Sequence, residues 1–577
     1  MRSAADVNSV DERIRGTLPP GTLYASRFNE LNTLSERRIR QMSSAVRAEP
    51  NWIQKLQSVE IRDRWRAEAK AQSLTGLEVD YVFVELGFYA SLHSSDTSIV
   101  LSAVDGVWCS DSLVDTETAQ ALKDYAVILE DVPAREKDFC PDSNDQVLNL
   151  VDPSLYPLVY KRSSMLLEPI ASPLAAVDLK SFGTFPSTRE GWSKALNSML
   201  DTRRQIYLAD TASNCFVNMF RSEMFCWLPA EFRVDSDGTT TVESYINNLH
   251  PRKHAALYLT IGAIFSKFVP MLEQVVTDLV HPRSQRVVAE SHNWFRSDKD
   301  EPEDTWVEGF DERYEQWKED RIFIDPQPEP FVIPDRPTTP YCLRGRRLQG
   351  IVKMSNIELT PVKPKYEDDA WHIEAMANER IIATGIYYYD VENIAESSLK
   401  FRERVGEEID NEPDDWRGVS LAYGIKEDDI DDDYDGVPLS QEIGHIEIKN
   451  GRCIMFPNIY QHQTSGFKLA DSSRPGHCKM LVFYFVDPAT RIPSTEVVPP
   501  QQQSWWAESF MSTGPLSDLP LLVKEGILDN VHFPMSLKMA KELRLKLMAE
   551  HDEANKYASN ELFTVTLGTN CTKTLYT

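Results

Sequence analysis

A histidine two residues ahead of an acid can put both side chains on one face of an extended segment, where they can share a cation. The 577-residue chain holds three such pairs, His372/Glu374, His445/Glu447 and His551/Glu553. Its 11 His and 89 acidic residues yield roughly 1.7 of them by chance at ordinary composition, so the pair alone carries no information. Distance to a further histidine separates the three. His462 lies 90 residues past His372, room for the intervening strands of a barrel whose strands run about 5–6 residues. Gly451-Arg-Cys-Ile-Met-Phe-Pro457 leads into it. His445 stands 17 residues before His462, enough for one hairpin only, and His551 falls in a helical stretch with little chain after it. Two imidazoles and a carboxylate on one face of an octahedron leave the other positions for cosubstrate and dioxygen, the arrangement of non-haem Fe(II) oxygenases. The metal set this spacing points to is His372, Glu374 and His462.

The elements that must position these residues change in texture along the chain. From about residue 26 to 72 the sequence is rich in Arg, Glu, Ala and Leu and predicts two or three helices. A long helix is expected over 253–279, kinked at Pro270. Between them, 231–245 reads as a β-hairpin turning at Asp237-Gly238. Residues 325–340 carry six prolines, which excludes a helix or a central strand and predicts a linker or extended arm. Strands are then expected at 348–359, 380–389, 445–449, 452–456 and 479–486, with Asn450-Gly451 as the strongest hairpin turn. The last of these is apolar nearly throughout, as a strand covered on both faces would be. A helix returns from Pro534 to about Asn555. The fold class is therefore α+β, with a double-stranded β-helix (jelly roll, cupin-like) core at 346–500, a helical extension at 1–80, a mixed, mostly helical region at 81–324, an arm at 325–345 and a helical extension at 501–577.

Composition bounds the function. A net charge of −28 argues against a nucleic-acid partner, because phosphate binding needs basic patches. The opening residues hold no signal-peptide core and no later apolar run approaches the roughly 18 residues of a membrane span, which predicts a cytoplasmic protein with no membrane partner. Eight scattered cysteines without a C-x-x-C pair predict reduced thiols. The acidic run 427–435 lacks the Gly and Glu placement of a calcium loop and reads as solvated.

Asn378-x-Arg380-x-x-Ala383-Thr384-x-x-x-x-Tyr389-Asp390-Val391-Glu392, following an H-x-acid pair, resembles the strand after the metal motif in prolyl-4-hydroxylase-like 2-oxoglutarate oxygenases. Gly451-Arg452-x-x-x-Phe456-Pro457-x-x-x-x-His462 resembles their approach to the distal histidine. From about residue 80 to 550 the chain also resembles a large fungal family long labelled only as a domain of unknown function, through Ser244-Tyr-Ile-Asn-Asn-Leu-His-Pro251, Trp371-His-Ile-Glu374, Thr384-Gly-Ile-Tyr-Tyr-Tyr-Asp390, Pro499-Pro-Gln-Gln-Gln503 and Trp505-Trp506. These resemblances imply a dioxygenase with Fe(II) as metal and 2-oxoglutarate as cosubstrate, hydroxylating or otherwise oxidising a substrate, a small molecule in preference to a protein. Two departures stand out. Glu374 takes the place of the usual Asp, one methylene longer. The Arg or Lys that anchors the far carboxylate of 2-oxoglutarate in such enzymes, through a charge-assisted pair, falls on Lys479, at the head of the apolar strand, or on Arg474, in a loop. Thr384 and Tyr388 share a strand face, and one of them could touch the cosubstrate. Two other readings stay open: a β-helix binding module with a vestigial site, and a non-redox metal enzyme on the same barrel. No H-E-x-x-H, nucleophile elbow, P-loop or dinucleotide fingerprint is present.

Overall fold

The computed structural model describes residues 31–566 apart from 94–97, 161, 167–168, 178–219, 290–293, 304–305, 338, 405–415, 426–437, 513–518, 521–522, 524–525 and 527–533. The acidic run 427–435 and two of the cysteines, Cys215 and Cys571, lie outside the described residues, and the other six cysteines are free thiols.

The architecture is mixed α+β with antiparallel sheets. Among the ten α-helices of the described residues, the five that bear on the site are α1 (Leu34–Ala48), α2 (Gly76–Ser91), α3 (Thr116–Glu130), α4 (Ala255–Val280) and α5 (Leu537–Glu561). Each of α1, α2, α3 and α5 starts where a Thr, Asp or Ser side chain accepts a hydrogen bond from an otherwise unpaired backbone N–H of the first turn, and at α2 Thr75 and Glu78 form a reciprocal capping box. Helix α4 continues through Pro270 as a single element. Contrary to the expectation that no apolar run approaches a membrane span, it is long and apolar enough to cross one by length and composition, and most of that apolar stretch is buried inside the protein.

The strands that carry the site are β1 (Trp108–Ser110), β2 (Val147–Val151), β3 (Ala230–Val234), β4 (Arg347–Leu359), β5 (Ile381–Glu392), β6 (Ser398–Glu403), β7 (Gln441–Glu447), β8 (Cys453–Pro457), β9 (Gln461–Thr464) and β10 (Gly476–Val486). A ten-stranded sheet runs β1-β8-β5-β10-β4-β2 through its middle, with short strands at its ends and β3 paired to the start of β4. A three-stranded sheet runs β7-β6-β9. The large sheet thus takes β1, β2 and β3 from ahead of the proline-rich arm and β4, β5, β8 and β10 from after it, so the arm at 325–345 does not bound the sheet.

Alternation along β10 gives the sheet two different faces. Leu481, Phe483 and Phe485 pack with Ile261, Phe265 and Phe268 of α4, whereas Cys478, Val482 and Tyr484 meet Leu399, Phe401, Ile443 and Ile446 of the small sheet. A Cβ added at Gly385 would stand 2.7 Å from the Phe268 ring, so this glycine lets α4 lie close on β5.

The expected hairpin at Asn450-Gly451 is corrected by the pairing. Gly451 does take positive φ (82°) in a tight turn, but β7 before it pairs with β6 in the small sheet and β8 after it pairs with β5 and β1 in the large one. The turn carries the chain from one layer to the other.

A buried ionic cluster ties the N-terminal helices to this core. Arg286 bonds to Glu36 (3.1 Å) and Glu85 (2.8 Å) and pairs with Asp105, while Arg40 joins Glu36 (2.7 Å) to Glu403 of β6 (2.8 Å). Burial alone would raise the carboxyls of Glu36, Glu85 and Asp105, but the facing guanidinium of Arg286, with Arg40, Arg283 and Arg47 around it, holds all three below their ordinary values. A depressed carboxylate contributes stability that is full above its unfolded pKa of about 4 and is lost as pH falls through the folded value. The denaturant midpoint is therefore expected to drop as the pH falls below about 4. Arg286→Ala, which strands buried carboxylates, is expected to cost about 3–5 kcal/mol in guanidinium titrations at neutral pH; a loss under about 0.5 kcal/mol, the range of an ordinary surface substitution, would show that the cluster is not what holds α1 and α2 in place.

Candidate metal centre

His372 and His462 are 90 residues apart in sequence and directly opposite in space. They form an antiparallel bridge with both backbone bonds made, His372 N–H to His462 C=O (3.1 Å) and His462 N–H to His372 C=O (2.9 Å). Residues opposed in this way carry their side chains on one face, and the ring centroids are 4.2 Å apart. The pairing is a single bridge and not a full strand: Glu374 has already left extended structure, and Ala375 has φ of 59°. What returns its carboxylate to the histidines is Asn458, which accepts from Glu374 N–H and donates to Glu374 C=O, both at 3.1 Å, and to Ile381 C=O. Glu374 Oε1 then lies 3.3 Å from His462 Nε2. One ligand atom from each of His372, Glu374 and His462 falls within 4.8 Å of the others.

The hydrogen bonds leave these atoms in the right state for a cation. His372 Nδ1 meets the Ala370 carbonyl at 2.8 Å; a carbonyl only accepts, so Nδ1 carries a proton and, in the neutral ring, the lone pair is on Nε2. Burial would raise the Glu374 carboxyl, but the hydrogen bond and charge of His462, with His372 and Lys353 behind, bring it down to about 2. Burial pushes the His462 imidazole down, helped by His372 and opposed by Glu374. At neutral pH the carboxylate is charged and His462 neutral, the forms that ligate a metal. Two buried polar atoms beside the cluster, His462 Nδ1 and Thr384 Oγ1, have no hydrogen-bond partner among the described residues.

Of the other residues expected at the site, Thr384 and Tyr388 lie on the face shared with the His372–Glu374–His462 cluster, and Lys479 and Arg474 do not. On β5, Ile386 and Tyr388 belong to the core shared with the small sheet, and Thr384 is two residues from Ile386 and paired with Tyr484. Burial raises the Tyr388 phenol well above its usual value, with Cys478 and Asp369 adding to the shift. Lys479 alternates with Cys478 and so points to the opposite, helix-covered face, where its ammonium pairs with Glu130 of α3 at 2.9 Å. Arg474 is exposed and pairs with Asp471 in the same turn, at 3.1 Å. Neither faces the triad.

The residues that do face it carry no motif. Lys353 of β4 sits between Ile351 and Ile357 in the same parity and opposes Val482, which puts it on the triad's face. It is half-buried, its charge acts on Glu374, and no hydrogen bond or ion pair holds its ammonium among the described residues. Tyr484 of β10 lies on the same face, where burial, with the charge of Glu374 adding to it, holds its phenol well above the usual value. Helix α5 closes one side: Asn555 accepts from Ile373 N–H (3.1 Å), Ser559 accepts from Gln461 (3.0 Å), and the His551 ring lies 5.4 Å from Trp227. Its place in a helix argues against His551 as a ligand, and it does stay outside the three-atom cluster, yet it borders the site; burial brings it down to about 4 against the pull of Glu374. A parity count on β4 could have found Lys353, but nothing local could have found α5.

No curated protein matches the chain. Among solved structures it is similar to a selenomethionine-labelled Fe(II)/α-ketoglutarate-dependent dioxygenase, TqaL, at 8% identity and a TM-score of 0.21, over 67% of this chain and 95% of that one. A family model described as "Protein of unknown function (DUF4246)" matches residues 77–509, a stretch that holds His372, Glu374, His462, Lys353 and Tyr484. The chain belongs to the DUF4246 family.

Proposed function

We propose that this protein is a non-haem Fe(II)/2-oxoglutarate-dependent oxygenase built on a double-stranded β-helix, with His372, Glu374 and His462 holding the metal. The observation that carries the reading is the His372–His462 bridge, which brings two imidazoles and the Glu374 carboxylate within reach of one cation at the edge of two facing antiparallel layers. Strand order supports the fold. One layer runs β8-β5-β10-β4, and the other layer runs β7-β6-β9 and continues through the bridge to His372, so successive strands of the chain wind through both layers. The donor set fits Fe(II): two neutral nitrogens, one anionic oxygen and open positions.

When bound, Fe(II) with 2-oxoglutarate and dioxygen supplies a two-electron oxidation of a substrate, coupled to the conversion of 2-oxoglutarate to succinate and carbon dioxide. The chain's part is to hold and to exclude. Lys353 is the residue for the far carboxylate of 2-oxoglutarate, since it is an ammonium on the triad's face without a carboxylate of its own. Ser355 comes two residues later on β4, and Thr384 and Tyr388 stand on β5 across the intervening β10, so hydroxyls flank the same space. Phe456, its ring 4.7 Å from His462, and Phe401 keep water from the buried side of the triad.

The test is uncoupled turnover. Protein purified without oxygen and loaded with Fe(II) is expected to release succinate from 2-oxoglutarate when air is admitted, and to release none with zinc in place of iron. Activity with zinc or manganese in the absence of oxygen would point to a non-redox metal enzyme, and neither metal uptake nor succinate under any condition would point to a binding module.

A further inference from the structure

We propose that the cavity bordered by the C-terminal ends of α2 and α4 and by the turn at 457–460 is a second binding site, for a small organic carboxylate with an apolar ring or branched chain. The inference goes beyond the metal reading and does not rest on it, since none of His372, Glu374 and His462 lines this cavity.

The cavity encloses about 220 Å³. An engineered cavity of about 150 Å³ takes benzene, so there is room here for a single ring with a carboxylate attached. Apolar lining comes from Phe88 of α2, Leu92, Leu101, Leu279 of α4 and Pro334 of the proline-rich arm. The charged lining is unequal: five arginines, Arg40, Arg283, Arg286, Arg336 and Arg404, stand against three carboxylates, Asp105, Asp278 and Glu403. Two acids that balance these arginines, Glu36 and Glu85, are fully buried and lie outside the lining. In a chain of net charge −28, this wall is a local excess of positive charge beside apolar surface. Such a wall selects an anion with an apolar body over a bare ion or a neutral ring.

The arginines differ in what they have left to offer. Arg286 uses its fork on Glu36, Glu85 and Asp105, and Arg336 uses its own on Asp278, Gln274 (2.6 Å) and the Pro337 carbonyl (3.1 Å). Arg283 donates from Nη2 to Glu85 at 2.9 Å, but its Nη1 is buried with no hydrogen-bond partner among the described residues. Leaving a buried donor without an acceptor is unfavourable, and a carboxylate is the acceptor whose geometry a guanidinium matches. The Tyr89 and Phe331 rings, centred 4.7 and 5.9 Å from the central carbon of Arg283, hold the group in place. The cavity also shares a turn with the metal centre. Pro457, Ile459 and Tyr460 line it, and Asn458 between them holds the backbone of Glu374. The Tyr460 hydroxyl donates to the Asp105 carbonyl at 3.2 Å, which ties that turn to the arginine cluster.

Benzoate is the probe, titrated by calorimetry into the full chain without added metal, at low salt where charges are least screened. It is expected to bind one-to-one, about 10–100-fold tighter than benzyl alcohol, which has the ring without the charge, and at least about tenfold tighter than acetate, which has the charge without the ring. Arg283→Gln, and Ser284→Trp at the exposed rim of the cavity, are each expected to weaken benzoate by about tenfold or more, and Lys353→Ala to leave it unchanged. Benzoate that does not bind overturns the proposal. So does benzoate bound no tighter than benzyl alcohol, which makes the cavity an apolar crevice, or sulfate bound as tightly as benzoate, which makes it a site for inorganic anions. Wild-type affinity in either folded cavity variant, or a loss with Lys353→Ala, places the carboxylate elsewhere and overturns it equally. Should Arg283→Gln not fold, Ser284→Trp decides alone. Succinate release plays no part in this result, so the metal reading and this one fail separately.

Discussion

His372→Ala and His462→Ala proteins, prepared without oxygen and given Fe(II), are expected to lose metal by more than the roughly 10–100-fold that outer-shell partners command, and to release succinate no faster than protein-free buffer. The effect should not come through unfolding. The two residues are joined by backbone hydrogen bonds, His372 N–H to His462 C=O and the reverse, and these survive removal of either imidazole. Each variant is expected to keep a cooperative thermal transition, lowered somewhat for His462→Ala, whose side chain is buried and leaves a cavity. Glu374→Gln keeps the size and removes the charge, and should lose iron as the histidine variants do, because a neutral amide is a poor ligand for a hard divalent cation. Metal analysis of the desalted proteins and succinate release are the measurements. A His372→Ala protein with wild-type iron content and turnover would mean that the cluster is an ordinary buried polar contact.

The second large effect separates two lysines. Lys353→Ala is expected to raise the 2-oxoglutarate concentration for half-maximal uncoupled turnover by about 10–100-fold, since a hydrogen bond to a charged group contributes about 1.5–3 kcal/mol and each 1.4 kcal/mol is tenfold. Iron content should be unchanged, because Lys353 is not among the clustered ligand atoms. Lys479→Ala is expected to leave that half-saturation where it is. Its ammonium is engaged with Glu130 of α3 on the other side of the sheet, so its loss touches only the docking of that helix, and a partly exposed pair of this kind is worth about 1 kcal/mol or less. Titrating 2-oxoglutarate against both variants decides between them. A reversed pattern, with Lys479 controlling half-saturation and Lys353 silent, would place the cosubstrate on the helix-covered face and undo the orientation of the whole site.

The strand segments are legible in the sequence because β-branched and aromatic runs announce themselves locally: 348–359, 452–456 and 479–486 appear as β4, β8 and β10 with ends shifted by at most three residues. The two-faced burial of β10 is equally legible, since a run with no polar alternation has no face to give to water. Asn450-Gly451 is indeed a turn, for Gly451 needs positive φ, yet a turn's conformation does not name the partner of the strand that leaves it. The proline-rich arm marks a real change in texture, but not an edge of the sheet: β1, β2 and β3 pair into it from far upstream, and such pairings leave no mark in the strands' own neighbourhoods.

What the sequence named by itself was the three candidates His372, Glu374 and His462, which the fold brings together, along with the kinds of element that bear them and the parity that sets Thr384 and Tyr388 together. Alternation says which side chains of a strand share a face; it does not say which face looks inward. That sign comes from what lies against the sheet. Only the folding of α4 and α3 over one side, and of the small sheet and α5 over the other, turned Lys479 away, brought Lys353 and Tyr484 toward the carboxylate, and placed His551 at the border of a site more than eighty residues upstream of it.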